Sequence, residues 1–305
     1  MVIVGPTAVG KTAVAVELVS EIGGEIISAD SMAVYVGMDI GTAKPTREEA
    51  SRARFHLVDA ADPSAPFSVG EFQRLAREAI DDVLQRNPPA VVVGGSGLYV
   101  RAAVDGLDLE IPGRSEQLRT QLAQEAREFG NESVHRRLAQ IDPVSAEHIH
   151  PNNVRRVIRA IEIYECSGTP ASALYARQSG NVPGYANARW FGLTMKRDAL
   201  YARIENRIDA MIEAGLIEEV DGLLRRGLDL GLPSMQGLGY KEIAGFLRGE
   251  YGKEEAIALL KGNTRRFAKR QYTWFRPDAR IRWINVDGMT AKKVSENIKG
   301  VLSNE

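Results

Sequence analysis

The sequence predicts an α/β fold: a parallel sheet with helices on both faces, interrupted by an all-helical insertion. Three observations predict it. The apolar run at residues 2–4 leads into "GPTAVGKT", which fits G-x-x-x-x-G-K-[ST], and residues 13–19 continue as an apolar helical pattern. Short apolar runs then alternate with helical stretches, at Ile26 and Ile27, Leu57 and Val58, 91–93, 191–193 and 281–286. Such alternation is the pattern of parallel strands joined by crossover helices. From about residue 113 to 185 the strand signal gives way to helical patterns at 115–128, 132–140, 143–149 and 152–166.

Each element follows from its residues. Strand, glycine loop and helix in that order make a P-loop NTPase-like core, because the loop's N–H groups and the helix N-terminus converge on an anion. Gly5, Pro6, Thr7, Ala8, Val9, Gly10, Lys11 and Thr12 are the candidate phosphate contacts. Lys11 brings a point charge, and Thr12 a hydroxyl for a phosphate-bound Mg2+. Asp30 falls where the second strand should end, and open parallel sheets bind ligands outside the carboxyl ends of their strands. Its carboxylate is expected to face the loop; capping the next helix is the alternative role. The run at 91–93 ends in Gly94-Gly95-Ser96-Gly97, without the Mg2+-holding Asp of phosphate-loop NTPases. Glycines there are expected to let another molecule approach closely, or else to form a plain tight turn.

Pro112-Gly113 and Val182-Pro183-Gly184 bracket the helical block as breakers. The expected domains are a catalytic core of 1–112 with 186–305 and a helical insertion of 113–185. Within the insertion, "IHPNNVRRVIRAIEIYE" sets Arg155 and Arg159 one turn apart, so that both can reach one anionic surface. A long amphipathic helix, or two in line, is expected over 198–227, with Ile204, Ile208, Met211, Ile212, Ile217, Val220 and Leu224 at three- and four-residue steps. Arg203 and Arg207 share another of its faces. Pro233, Gly237 and Gly239 mark the loop "LPSMQGLGYKEI" that follows.

Composition bounds the function. The net charge is −1, yet residues 261–282 carry eight Lys/Arg against one Asp, with Phe267, Tyr272, Trp274 and Phe275 among them. Basic and aromatic side chains interleaved in this way suit a phosphate backbone and stackable bases; a solvated helix face is the plainer alternative. No apolar run is long enough to span a bilayer. With the phosphate loop at residue 5, a signal peptide is not expected. The one cysteine, Cys166, excludes internal disulfides and multi-cysteine metal sites; it is expected to be a buried apolar filler in a cytoplasmic protein. His56, His135, His148 and His150 lack ligand-type spacing and are expected to be structural.

Eight stretches, "GPTAVGKT", "SADSMAVYVGMDIGTAKP", "HLVD", "GGSGLYV", "IHPNNVRRVIRAIEIYE", "RIENRIDAMIEAGLIEEV", "MQGLGYKEI" and "AKRQYTWFR", run in order from residue 5 to 276. Together they resemble the tRNA dimethylallyltransferases, also called tRNA isopentenyltransferases. That resemblance implies transfer of a dimethylallyl group from dimethylallyl diphosphate to the exocyclic N6 amine of the adenosine 3′-adjacent to the anticodon. The loop would then hold a diphosphate leaving group rather than ATP. It further implies Asp30 as general base, with Ser96 and Arg207 as further catalytic residues and Arg207 a diphosphate ligand. Mg2+ would be held by Thr12 with diphosphate oxygens and water. The implied contacts to the tRNA anticodon stem-loop are Asp30, Ser31, Met32, Ala33, Ser96, Arg119, Arg155, Arg156, Val157, Ile158 and Arg159. They continue through Gln236, Gly237, Leu238, Gly239, Tyr240 and Lys241, and through Lys269, Arg270, Gln271, Tyr272, Thr273, Trp274, Phe275 and Arg276.

Two departures from the family pattern stand out. Ala33 replaces the usual Gln, so that one base contact is absent or made by another residue, and Ser96 replaces the usual Thr, which keeps the hydroxyl. A monomer is expected, with no membrane partner. The rival readings are prenylation of free adenine nucleotides, a small-molecule kinase with an arginine lid, and a non-enzymatic RNA-binding module. The absent acid after Val93 and the basic segment argue against the kinase.

Overall fold

The computed structural model describes residues 1–107, 109, 115–178 and 184–303. The chain divides into two compact units, Met1–Val104 with Tyr185–Glu305, and Asp105–Gly184. The expected breakers at 112–113 and 182–183 lie outside the described residues.

In the first unit the chain runs β1 (Val2–Val4), α1 (Lys11–Ile22), β2 (Glu25–Ser28), α2 (Arg47–Arg52), β3 (Phe55–His56), α3 (Val69–Arg86), β4 (Ala90–Gly94) and α4 (Gly97–Val104). The second unit holds α5 (Glu116–Phe129), α6 (Asn131–Ile141), α7 (Pro143–His148), α8 (Val154–Ser167) and α9 (Ala171–Gln178). The first unit resumes with β5 (Trp190–Thr194), α10 (Arg197–Glu213), α11 (Leu216–Arg225), α12 (Tyr240–Leu247), α13 (Lys253–Phe275), β6 (Ile281–Asn285) and α14 (Ala291–Ser303).

The six strands form one sheet in the order β3-β2-β4-β1-β5-β6, and every pairing is parallel. Val2 is in register with Val92 on one side and Trp190 on the other, which makes β1 central. Strands buried on both faces read as unbroken apolar runs, and that is why β1 and β4 were legible. The path from β1 to β2 runs outward and that from β3 to β4 runs back, so right-handed crossovers set α1 and α3 on opposite faces. On those faces α1 packs with α14, and α3 with α4. The crevice for a ligand opens at the carboxyl end of β1.

Four details differ from the sequence expectation. The edge strand is Phe55–His56, paired with Ile26 and Ile27; Leu57 has φ 62° and has already left the sheet. The 198–227 stretch forms two helices in line, one of the two expected forms, but the break at Gly215 (φ 98°) shifts the phase so that Leu216 and Leu223 are buried in place of Ile217 and Leu224. α12 begins at Tyr240, inside the stretch expected as loop. Cys166 is exposed on α8 rather than buried.

The helical unit has its own core, built on Leu122, Val134, Leu138, Val157, Ile161 and Ile163. Two buried carboxylates organise it. Asp142 caps α7 by accepting from Ser145 N at 3.0 Å, and it also accepts from Ser172 N at 2.9 Å, which fixes α9. Glu162, with no exposed surface, accepts from Ser115 N, from Arg119 and, at 2.5 Å, from Arg159. The two guanidiniums and the amide outweigh the cost of burial and hold the Glu162 carboxyl below its ordinary range.

Candidate active site

The phosphate loop has the conformation an anion cradle needs. Gly10 at φ 100° lets α1 start abruptly at Lys11; no side chain caps this N-terminus and its first turn carries no acid. The N–H groups and the positive end of the helix dipole therefore face the crevice without a capping side chain or a first-turn acid. Lys11 Nζ folds back to donate to Pro6 O at 2.8 Å. Desolvation pushes the Lys11 ammonium down from 10.5 to about 8; neighbouring Asp30 opposes this shift and Arg207 adds to it. Burial lowers Arg207 as well, against the pull of Asp30 and Glu49. Two partly desolvated cations beside one carboxylate leave excess positive charge for an anion to neutralise.

Two pockets adjoin here. One, of about 450 Å³, lies along the phosphate loop and includes Lys11, Thr12, Arg203 and Arg207. The other, of about 300 Å³, includes Ser31, Ser96, Gln236, Lys241, Thr264 and Arg270. Thr7, Ala8, Asp30, Thr42, Arg207 and Phe267 line both, so Asp30 and Arg207 stand on the shared wall. This follows from the topology: Asp30 sits two residues beyond the end of β2, and Arg207 reaches across from α10.

Asp30 faces the pockets and braces a turn; it caps no helix, since the next one starts at Arg47 with Thr46 as its cap. Its Oδ1 accepts from Met32 N at 2.9 Å and Ala33 N at 3.3 Å, folding the turn after β2. Ser96 Oγ accepts from Ser31 N at 3.2 Å and lies 3.1 Å from Ser31 Oγ, which ties the same turn to the β4–α4 loop. Gln271 braces the other side. Its Oε1 accepts from Thr7 N at 2.8 Å and its Nε2 donates to Gly95 O at 2.9 Å. A methyl built on Gly95 would lie 2.2 Å from the Gln271 amide, and one on Gly97 would lie 2.1 Å from the Trp274 indole. These glycines thus admit α13 of the chain itself, not another molecule, which corrects the sequence expectation.

Several expected tRNA contacts turn inward. Val157 and Ile158 belong to the helical core, Tyr240 and Phe275 are buried, and Ala33 and Gln271 are each 5% exposed. Their side chains offer little outer surface, and Ala33 and Gln271 face the phosphate-loop pocket instead. Tyr240 donates instead to Glu219, and the Tyr272 hydroxyl lies 3.1 Å from Thr194 Oγ1. Arg119 and Arg159 are drawn onto Glu162, whereas Arg155 and Arg156 are exposed. Ser31, Met32, Gln236, Gly237, Leu238, Gly239, Lys241 and Arg270 do line the second pocket.

Arg203, not assigned a role from sequence, lies with Nη1 3.5 Å from Val9 O and lines the phosphate-loop pocket beside Arg207. Its four-residue spacing from Arg207 was the available signal. All four histidines make structural bonds: His56 to Glu25, His135 and His148 to backbone carbonyls, and His150 to Asn152 N. Among the described residues no group of three or more His, Cys, Asp or Glu could hold a metal, and no helix is long and apolar enough to cross a membrane. The donor set beside the loop is the Thr12 hydroxyl, which fits a hard cation that keeps most of its waters and takes its charge balance from a bound diphosphate.

The fold and site define a P-loop-type α/β protein in which an anion pocket opens, across one acid–base wall, into a second polar pocket. The chain belongs to the IPP transferase family, whose model matches residues 33–278. It is 48% identical over 304 residues to a tRNA dimethylallyltransferase of Heliobacterium modesticaldum, covering 100% of this chain and 95% of that one. To the enzyme of that name from Desulforudis audaxviator it is 51% identical over 288 residues, covering 94% and 92%. The crystal structure of the full-length tRNA isopentenylpyrophosphate transferase of Bacillus halodurans matches with TM-score 0.71 and 44% identity over 99% of this chain and 96% of that one. A eukaryotic dimethylallyltransferase acting on tRNA matches with TM-score 0.81 and 26% identity, over 100% of this chain and 79% of that one.

Proposed function

We propose that this chain is a tRNA dimethylallyltransferase that moves a dimethylallyl group from dimethylallyl diphosphate to the N6 amine of the adenosine 3′-adjacent to the anticodon. The observation that carries this reading is the wall shared by the two pockets, where Asp30 and Arg207 face both an anion cradle and a second pocket of nucleoside-admitting size. The donor's diphosphate lies along the phosphate loop; the acceptor adenine enters from the side of Ser31, Ser96 and Gln236.

In the reaction the bond between the allylic carbon and the diphosphate oxygen breaks, and a bond from that carbon to N6 forms. The amine is a weak nucleophile because its lone pair is delocalised into the ring. Asp30 takes the N6 proton as the new bond forms, a general-base contribution on the order of 10²–10⁴ in rate. The allylic carbon tolerates positive charge, so the larger demand is the charge growing on the departing diphosphate. The α1 N–H groups, Lys11, Arg203 and Arg207 are aimed at that charge before the reaction starts. Mg2+ held by Thr12 and the diphosphate oxygens would supply further neutralisation. The adenine must leave its stack to reach Asp30, which costs little in a single-stranded loop. On this reading the enzyme acts as a monomer in the cytoplasm.

Incubation with labelled dimethylallyl diphosphate and either tRNA or AMP tests the proposal. Label in tRNA alone is expected. Label in AMP would make the chain a prenyltransferase of free nucleotides, and tRNA-independent ATP hydrolysis would make it a P-loop kinase or ATPase.

A further inference from the structure

A third recess, of about 310 Å³, lies between α10 and α13 and shares no residue with either pocket of the proposed active site. Its wall includes Arg197 and Tyr201 from α10 and Lys269, Tyr272 and Arg276 from α13. The α10–α13 pair treats charge differently along its length. At one end acids on α10 meet bases on α13: Arg265 pairs with Glu205 at 2.5 Å and Lys261 with Asp209 at 2.6 Å. At the recess the bases have no such partner. Arg197, Lys269 and Arg276 are all exposed, and none has a carboxylate within ion-pair distance among the described residues. No Asp or Glu lines the recess.

The guanidiniums rest instead on aromatic faces. Arg197 lies 5.1 Å from the Tyr201 ring centroid and Arg276 lies 5.1 Å from that of Tyr272. The Tyr272 ring is fixed from behind by its hydroxyl, which accepts from Met195 N at 3.3 Å. Three cations with no acid partner around two held rings form a site for a group that is anionic at one end and flat at the other. A nucleotide of single-stranded RNA has that chemistry: a phosphodiester for the cations and a base to stack on tyrosine.

We infer that this recess binds one unpaired nucleotide of the RNA substrate, neighbouring the one that enters the active site, with Arg197 and Tyr201 as binding residues. The inference rests on the proposed tRNA substrate. α13 supplies the geometry: Arg270 lines the acceptor pocket while Lys269, its neighbour in sequence, lines the recess. Adjacent Cα atoms are about 3.8 Å apart, so two cations one residue apart can take successive phosphates of one strand as it turns from one pocket to the other. The clamp would hold the strand on the flank of α13 while the target base reaches Asp30.

The test measures tRNA affinity at several salt concentrations for wild type, Arg197→Ala, Tyr201→Leu and Tyr201→Phe, with melting temperature as a folding check. Wild-type binding that weakens with salt establishes that the substrate reading holds before the recess is judged. Arg197→Ala is expected to weaken binding several-fold and to flatten the slope of log affinity against log salt by about 0.7, the value for one single-strand phosphate contact. Tyr201→Leu is expected to weaken binding about 5- to 100-fold with the slope unchanged, and Tyr201→Phe to retain affinity, because stacking needs the ring and not the hydroxyl. In all three the KM for dimethylallyl diphosphate should stay at the wild-type value. Wild-type affinity and slope in both Arg197→Ala and Tyr201→Leu would overturn the inference, as would equal losses in Tyr201→Leu and Tyr201→Phe.

Discussion

Two buried ionic groups, one in each unit, look alike in composition and do opposite work. In the helical unit Glu162 is fully enclosed and fully partnered, by Arg119, Arg159 and the Ser115 amide. At the phosphate loop Lys11 and Arg207 are desolvated beside Asp30, and that desolvation lowers the pKa of both. In the first, both guanidiniums donate to Glu162 and Arg119 also lies 4.0 Å from Glu116, so the arginines are scaffold. The second is left with excess positive charge and an uncapped helix N-terminus, an arrangement completed only when an anion arrives. A basic residue in a charged cluster therefore says little about binding until its acid partner is known.

The largest expected effect breaks the acid at the reactive end. Asp30→Ala should lower kcat by about 10²–10⁴ while tRNA affinity stays within a few-fold. Single-turnover rates at saturating substrates measure the first quantity and filter binding the second. A variant that turns over normally but loses tRNA would make Asp30 a docking residue that folds the turn at Met32 and Ala33, and nothing more.

The counterpart in the helical unit is Glu162→Gln. Removing the buried carboxylate takes that partner from Arg119 and Arg159, but their side chains are 36% and 33% exposed, so the loss should stay below the figure of about 3–5 kcal/mol for a fully buried pair. Denaturant unfolding should show that loss in the helical unit, with kcat at saturating tRNA unchanged. The pH dependence has a fixed sign. Because the folded-state value lies below the ordinary 4.5, the wild-type contribution is present above that pH and is lost as pH falls through the folded value. Glu162→Gln should lack this acid-side loss.

Lys11 sharpens the contrast with a smaller effect of opposite character. Its folded pKa of about 8 lies below the ordinary 10.5, so the unfolded chain binds more protons between those values and stability rises with pH across that window. Below pH 8 the buried ammonium is a cost, so Lys11→Met should raise the melting temperature of the free protein at pH 7. The same change should raise KM for dimethylallyl diphosphate. In the wild type, donor affinity should be about fivefold weaker at pH 9 than at pH 8 as the ammonium is lost. Calorimetric titration of the donor across that range, in wild type and Lys11→Met, reads both; a pH-independent wild type would mean that Lys11 does not meet the diphosphate.

Where the chemistry is local the sequence was readable. The phosphate loop is eight contiguous residues, and β1, β4 and β5 are buried on both faces, so motif and strands stood out without any partner in view. What escaped depends on contacts between distant residues. Gln271 braces Thr7 across 264 positions, so α13 read as a uniform RNA-binding face although its Gln271 and Phe275 side chains point inward. β3 is two residues long and half-buried, too short to establish a period. α9 buries only Ala171 among its described side chains and is held by an acid 30 residues away, so no apolar stripe announces it.

The last prediction carries the comparison into a single helix, where the expected effects are smallest. Arg155, Arg156 and Arg159 follow one another on α8 and are equivalent by sequence, but the structure divides them. Arg159 is spent with Arg119 on Glu162, while Arg155 and Arg156 are exposed and have no acid partner among the described residues. A cation already neutralised by a buried carboxylate releases few counterions from a nucleic acid, because its charge is largely compensated before binding. An unpaired one replaces a condensed counterion outright. Arg155→Ala with Arg156→Ala should therefore weaken tRNA binding and flatten the salt slope by about 1.4 for single-stranded contacts or 1.8 for duplex ones. Arg119→Ala should leave that slope within about 0.3 of wild type and instead lower stability, since it removes one of the two guanidiniums that hold buried Glu162. Measured together, slope and melting temperature separate the two classes: a lost slope with normal melting marks a binding arginine, and a lowered melting point with a normal slope marks a scaffold one. If Arg119→Ala flattened the slope as much as the Arg155/Arg156 pair, the Glu162 cluster would be part of the RNA interface and the division between closed and open charge would fail in this unit.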